Sequence, residues 1–285
     1  PIDTFLHYDS AFRILEKEYP IRDYWVVSGL IVDVIQAFFF KIIGNSWFAY
    51  TIHPSIFNCL ITVATYHHFT NNNVSEFKSF ILAFCFSILA YTISGTPFVD
   101  HHATFFLLIA TYLIINNLKS KQIYIWFLIV TLIFLSFLSK QVPVTYIAIS
   151  YLIILLSYFI KKRKTKDLFK IFSFSLLLII FFIFILLYNG ISLKSFYVQY
   201  LDFPRSIGLS RVENLNVTIN SFFNHYKFIL IPFLLIIIFR IYKIKKNFQI
   251  SIEQIICFYI LTSFIIFLIF HQILTKNQIY IYFLV

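Results

Sequence analysis

Residues 168–189 read LFKIFSFSLLLIIFFIFILLYN, 22 residues with a single charge, Lys170, directly after the basic turn Lys161-Lys162-Arg163-Lys164. As an α-helix such a run rises about 33 Å, enough to cross a hydrocarbon core of about 30 Å. A helix that is apolar on every face is buried in protein or lipid, and the flanking lysines mark a cytoplasmic side. Outward from it, comparable runs lie near 47–69, 79–95, 102–117, 122–139, 142–160, 226–242 and 254–272, with an incomplete one from 278. The pattern predicts eight complete spans and a partial one.

The composition agrees. Of 285 residues, 60% are hydrophobic and 12% charged, with a mean hydropathy of +0.85, which excludes a water-soluble globular domain. The 38 Phe and 19 Tyr stand against only 5 Gly and 7 Pro, too little turn chemistry for a barrel of many short strands. The expected fold is an all-α polytopic transmembrane helix bundle, a single domain over 1–285. Cys59, Cys85 and Cys257 each sit in an apolar run, so neither a zinc knuckle nor a disulfide framework is expected. The chain starts at Pro1 in a polar stretch and ends at Val285 inside an apolar run, which reads as truncation at both ends, and no signal peptide is legible.

Breaks between the spans alternate in charge. Those near 70–78, 118–121, 161–167 and 243–253, with their flanks, carry a net +10 of the total +11, and everything on the other side carries +1. The positive-inside rule makes the first set cytoplasmic. Membrane lipids, not nucleic acid, are the partners that this basic excess implies.

On the outer side, 1–46 form a first loop with two expected amphipathic surface helices. Phe5, Tyr8, Phe12, Leu15 and Tyr19 recur at helical spacing up to Pro20, with His7, Asp9, Arg13, Glu16 and Lys17 on other faces. A second stretch, Leu30–Ile43, runs to Gly44, with Asp33, Gln36 and Lys41 breaking its apolar face. Residues 190–225 form a long outer loop bearing Arg205 and Arg211, and loops of that length are more often functional than idle.

Candidate site residues gather at the outer ends of spans. Lys140, in Ser139-Lys140-Gln141, either snorkels to the interface or meets a lipid phosphate. Asp100 with His101-His102 opens a helix after Pro97. The carboxylate there either compensates the helix dipole or helps the imidazoles hold a metal or phosphorylated substrate. Asp100 and His101 are the metal candidates. No glycine-rich nucleotide loop is present, which disfavours an ATP-driven pump or a nucleotide-sugar enzyme.

Ala11-Phe12-Arg13-Ile14-Leu15, then Tyr19-Pro20-Ile21-Arg22-Asp23-Tyr24-Trp25 and Gly29, resemble the "A-x-x-i-L-x-G-x-x-P-y-r-D-f" signature of multi-pass GT-C glycosyltransferases. That group contains protein O-mannosyltransferases and the lipid A aminoarabinose transferase. Glu18 stands where the family has Gly, and Ser139-Lys140-Gln141 is similar to the family's "l-t-K-x" at an outer span end. The resemblance implies inverting transfer of a sugar from a polyprenyl-phosphate donor to a glycan, lipid or protein acceptor, at the extracytoplasmic face of the cell (inner) membrane. It implies Asp3 as general base, Asp100 as a second acidic residue placing a metal or the acceptor, Lys140 on the donor phosphate, and Arg205 or Arg211 as further phosphate partners. The family often pairs two acidic residues in this loop. Here Thr4 follows Asp3, which leaves a divalent metal, Mg or Mn, an open requirement. The alternatives are an outer-face polymerase or ligase of lipid-linked glycans, which uses Arg205 and Arg211 without Asp3, and a secondary transporter, which needs mid-membrane charges.

Overall fold

The computed structural model describes residues 2–91, 95–213, 219–245 and 251–275, and among them it is entirely helical. The elements are α1 (Ile2–Leu15), α2 (Leu30–Ile43), α3 (Trp47–Asn71), α4 (Glu76–Tyr91), α5 (Val99–Ser120), α6 (Ile123–Ser139), α7 (Val144–Lys161), α8 (Thr165–Tyr188), α9 (Leu193–Phe196), α10 (Phe203–Glu213), α11 (Ile219–Lys245) and α12 (Ile252–Thr275). A π-helical turn, Tyr197–Asp202, joins α9 to α10. The expected partial span from 278 lies outside the described residues.

Four of these helices, α5, α7, α8 and α12, are long and apolar enough to cross a membrane. The plainest case is α8. Its one buried residue is Leu186, while Phe169, Phe172, Leu177, Phe181 and Phe184 all stand exposed. Such a surface would drive association in water and is at rest only against lipid. The chain is therefore a membrane protein.

The centre of the bundle is α5, whose apolar side chains from Phe105 to Leu118 are mostly buried, Phe105, Leu107, Ile114 and Leu118 fully so. It packs on α3, α6, α7 and α12. A buried hydrogen bond between Thr111 Oγ1 and Tyr151 Oη, 2.7 Å, ties it to α7. At one end of α5, Lys119 Nζ donates to Asn72 Oδ1 at 2.7 Å, and nearby Lys162 Nζ reaches Glu253 Oε1 at 2.7 Å. The opposite end, about 30 Å away along a 22-residue helix, carries Asp100.

Two local expectations need correction. The first helix ends at Leu15, not at Pro20: Lys17 turns left-handed (φ 66°), and Glu18 N–H closes on Arg13 O at 3.0 Å, a helix-terminating turn. Its aromatic stripe is divided, with Tyr8 and Leu15 packed against Ala37, Phe40 and Tyr50. Phe5 and Phe12 are exposed, while His7, Ser10 and Ala11 face inward. The long 190–225 connection is largely helical, and α11 begins at Ile219. Its polar composition hid α9 and α10 from a search for apolar runs.

Between α1 and α2 the chain folds back as a loop, 16–29, that ends on Gly29. Gly29 has φ 88°, and its N–H donates to Ser139 O at 2.8 Å. A Cβ there would stand 2.7 Å from His7 Cε1 and 2.8 Å from Val99 Cγ1. Only glycine satisfies both the dihedral and the close approach. Gly29→Ala is expected to cost about 2 kcal/mol or more, read as a lowered melting temperature in nanodiscs. An unchanged melt would show that α1 and α5 are not in contact there.

Candidate functional site

Asp100 lies in the first turn of α5, and Lys140 is the residue at which α6 ends. Lys140 has extended backbone, with its N–H held by Ser136 O at 3.0 Å, and Ser136 Oγ in turn donates to Ala103 O at 2.5 Å. These bonds bring the end of α6 against the start of α5, and Lys140 Nζ forms a salt bridge with Asp100 Oδ1. Asp100 is 1% exposed; Lys140 is half-buried. The N-cap position is Phe98, so capping is not the role of the carboxylate. Removing one partner of such a pair leaves an uncompensated buried charge, at a cost of about 3–5 kcal/mol.

Lys140 also lines a cleft of about 190 Å³, together with Gln141, Tyr146, Arg211 of α10 and His271 of α12. Two cations thus face one hollow at the bundle end opposite the lysine-bearing turns. Arg205, on the same helix as Arg211, is exposed and lies off the wall of this cleft.

The two histidines diverge. His101 is buried between the rings of Phe98 and Phe105, with centroids 5.9 and 6.0 Å away. His102 faces α3: its Nδ1 is 3.0 Å from Phe98 O and its Nε2 is 2.9 Å from His53 Nε2. A carbonyl only accepts, so His102 Nδ1 carries the proton. His53 Nδ1 then meets the Gln36 side chain, 2.9 Å from Oε1. Asp100 and His101 therefore engage different neighbours, and among the described residues no three His, Cys, Asp or Glu side chains gather as a metal cage.

A second hollow, of about 320 Å³, lies between α1, the 16–29 loop and α2. At its base Asp33, 1% exposed, receives Ser10 Oγ–H at 2.7 Å and His7 Nδ1 at 2.7 Å. Burial pushes the Asp33 carboxyl above its ordinary value, with His7 and Ser10 opposing the shift. Tyr24 Oη is 2.9 Å from Ser10 Oγ, and burial raises its phenol to about 12. The exposed Asp23 goes the other way, lowered by Arg22 and by the Tyr19 N–H.

Both hollows share one wall, Val27 and Ser28. Two glutamines fix it. Gln141 Nε2 donates to Val27 O at 2.7 Å and Tyr200 O at 2.8 Å, while Gln199 Nε2 donates to Ile21 O at 3.0 Å and its Oε1 accepts Val26 N–H at 3.1 Å. Gln199 and Tyr200 sit in the π-turn, a device frequent at functional sites because it re-aims side chains within a helix.

Of the residues singled out in the sequence, Asp100, Lys140 and Arg211 come together. His101, His102 and Arg205 do not join them. Asp3 begins α1 one turn before His7, and its side chain lies outside the described residues. Sequence reasoning missed His7, Ser10, Asp33, Gln141, Gln199 and His271 as site residues. The signal for Asp33 was present: a carboxylate breaking an otherwise apolar stretch. No family model, no curated protein and no solved structure matches this chain.

Proposed function

We propose that the chain is a polytopic membrane glycosyltransferase of the GT-C kind, moving a sugar from a polyprenyl-phosphate donor to a glycan, lipid or protein acceptor at the extracytoplasmic face of the cell membrane. In this reading α3 to α8, α11 and α12 all span the bilayer, and α1 and α2 lie as amphipathic helices in the first outer loop. The observation that carries it is the cleft in which Lys140, held by buried Asp100, stands with Arg211 at the bundle end opposite the lysine-rich turns.

Sugar transfer breaks the bond between the anomeric carbon and the phosphate oxygen, forms one to the acceptor oxygen, and passes through an oxocarbenium-like state. The departing phosphate gathers negative charge, which Lys140 and Arg211 neutralise in a site of restricted water access. Asp100 is a positioning residue in this scheme: it aims the Lys140 ammonium at the cleft. Asp3 takes the acceptor proton. Arg205 and the His101-His102 pair contribute at the margin, through the exposed face of α10 and the packing beneath Asp100.

Lys140→Ala is expected to lower kcat/KM for a polyprenyl-phosphate sugar about a hundredfold, about 2.7 kcal/mol, with acceptor KM changed by less than about twofold. The double variant Asp100→Asn/Lys140→Ala removes the orphaned charge and is expected to melt like the parent yet remain defective. Unchanged donor dependence in proteoliposomes would end the phosphate assignment.

Asp3→Asn is expected to abolish transfer while expression persists. Full activity in that variant would favour a ligase or polymerase, which needs the arginine on the cleft and not the base.

Orientation has its own test. In a chain with Cys59, Cys85 and Cys257 replaced, Arg205→Cys is expected to react with a membrane-impermeant maleimide on intact cells, and Arg163→Cys only after permeabilisation. The reverse pattern would put the cleft on the cytoplasmic side.

A further inference from the structure

We infer that the hollow between α1 and α2 is a saccharide-binding site that receives the sugar ring of the acceptor. The assignment rests on the glycosyl-transfer reading for the word acceptor, and on the hollow's own chemistry for the word saccharide.

At about 320 Å³ the hollow stands at the lower end of ligand-pocket volumes, sized for a sugar ring and too small for a folded peptide. Its outer wall carries Trp25, 54% exposed, with its ring meeting Phe203 edge to face at 5.6 Å. A pyranose offers a flat C–H face to such a ring and a rim of hydroxyls to polar groups, the combination that an amphipathic aromatic wall above a hydrogen-bonding floor recognises.

The floor is directional. Ser10 Oγ–H is committed to Asp33 Oδ2, so the phenol donates to Ser10, whose Oγ lies at 2.9 Å and whose carbonyl O at 3.2 Å, and the chain of bonds runs Tyr24 to Ser10 to Asp33. The protons of that chain point inward, which leaves the Tyr24 oxygen as an acceptor for a ligand hydroxyl, beside the paired Asp9 and Arg13. A phosphate or carboxylate supplies none, and the guanidinium on the wall, Arg13, is already paired with Asp9 and Glu18. A neutral polyol supplies several. Nothing in packing calls for Asp33 to be a buried carboxylate, since an apolar residue would fill the α1–α2 contact at lower cost.

Position completes the argument. Val27 and Ser28 wall both this hollow and the phosphate cleft, so an acceptor ring here and a donor phosphate there approach one another across two residues held by Gln141 and Gln199.

The test is saturation-transfer NMR on the full-length protein in nanodiscs, with methyl α- and β-glycosides of glucose, galactose, mannose and N-acetylglucosamine. At least one glycoside is expected to show ring-proton saturation. Trp25→Ala is expected to reduce it at least about fivefold and Trp25→Phe to retain part of it, because stacking needs only an aromatic face. Ser10→Ala is expected to weaken it with Trp25 intact. Absence of binding across the panel, or equal signals from the parent and Trp25→Ala, would overturn the proposal. Added polyprenyl phosphate should leave glycoside binding in place. If a polyprenyl-phosphate sugar displaces the glycoside and polyprenyl phosphate alone does not, the ring site belongs to the donor and the acceptor assignment is lost. The readout needs no turnover: a protein that binds glycosides at Trp25 and transfers nothing keeps the saccharide site and loses the transferase reading.

Discussion

The salt bridge between Lys140 and Asp100 organises this end of the molecule. Charges are scarce in the chain, and a carboxylate sunk to 1% exposure beside an apolar core is tolerable only with its counter-ion in contact. Holding it requires α6 to stop beside the first turn of α5, and Ser136 bonded to Ala103 O enforces that approach. Once α6 stops there, the carbonyl of Ser139 is available to Gly29, and the first-loop polypeptide has a fixed landing point.

From that landing point the two hollows follow. The 16–29 loop is drawn over the bundle end and pinned by side-chain amides from the start of α7 and from the π-turn. What the loop leaves beneath it toward α7, α10 and α12 is the cationic cleft; what it leaves toward α1 and α2 is the hollow with Asp33, Ser10 and Tyr24 at its floor. One strip of backbone thus divides two chemically distinct spaces.

The helical fold was legible because lipid solvation writes itself into composition: the eight complete apolar runs each fall on a helix, from Trp47–Asn71 to Ile252–Thr275. The bounds of α2 were read to the residue, since Gly44 ends it with φ 101°. The site was only half legible. Asp100, Lys140 and Arg211 betray themselves as charges at the ends of apolar runs, a local signal. Asp33 and His7 do not, because their partnership spans 26 residues and depends on which faces α1 and α2 turn toward each other. Gln141 and Gln199 carry no charge and break no pattern; only the backbone carbonyl each one meets, 114 and 178 residues distant, gives it meaning. Helices α9 and α10 escaped for the opposite reason: they are helical without being apolar, and an apolarity scan has nothing to register.

The braces deserve a last thought for being amides. Because Gln141 and Gln199 hold the dividing strip with neutral groups, the mechanical frame contributes no net charge to either chamber. The charge in either chamber comes from the side chains that line it and not from the two amides that brace the strip between them.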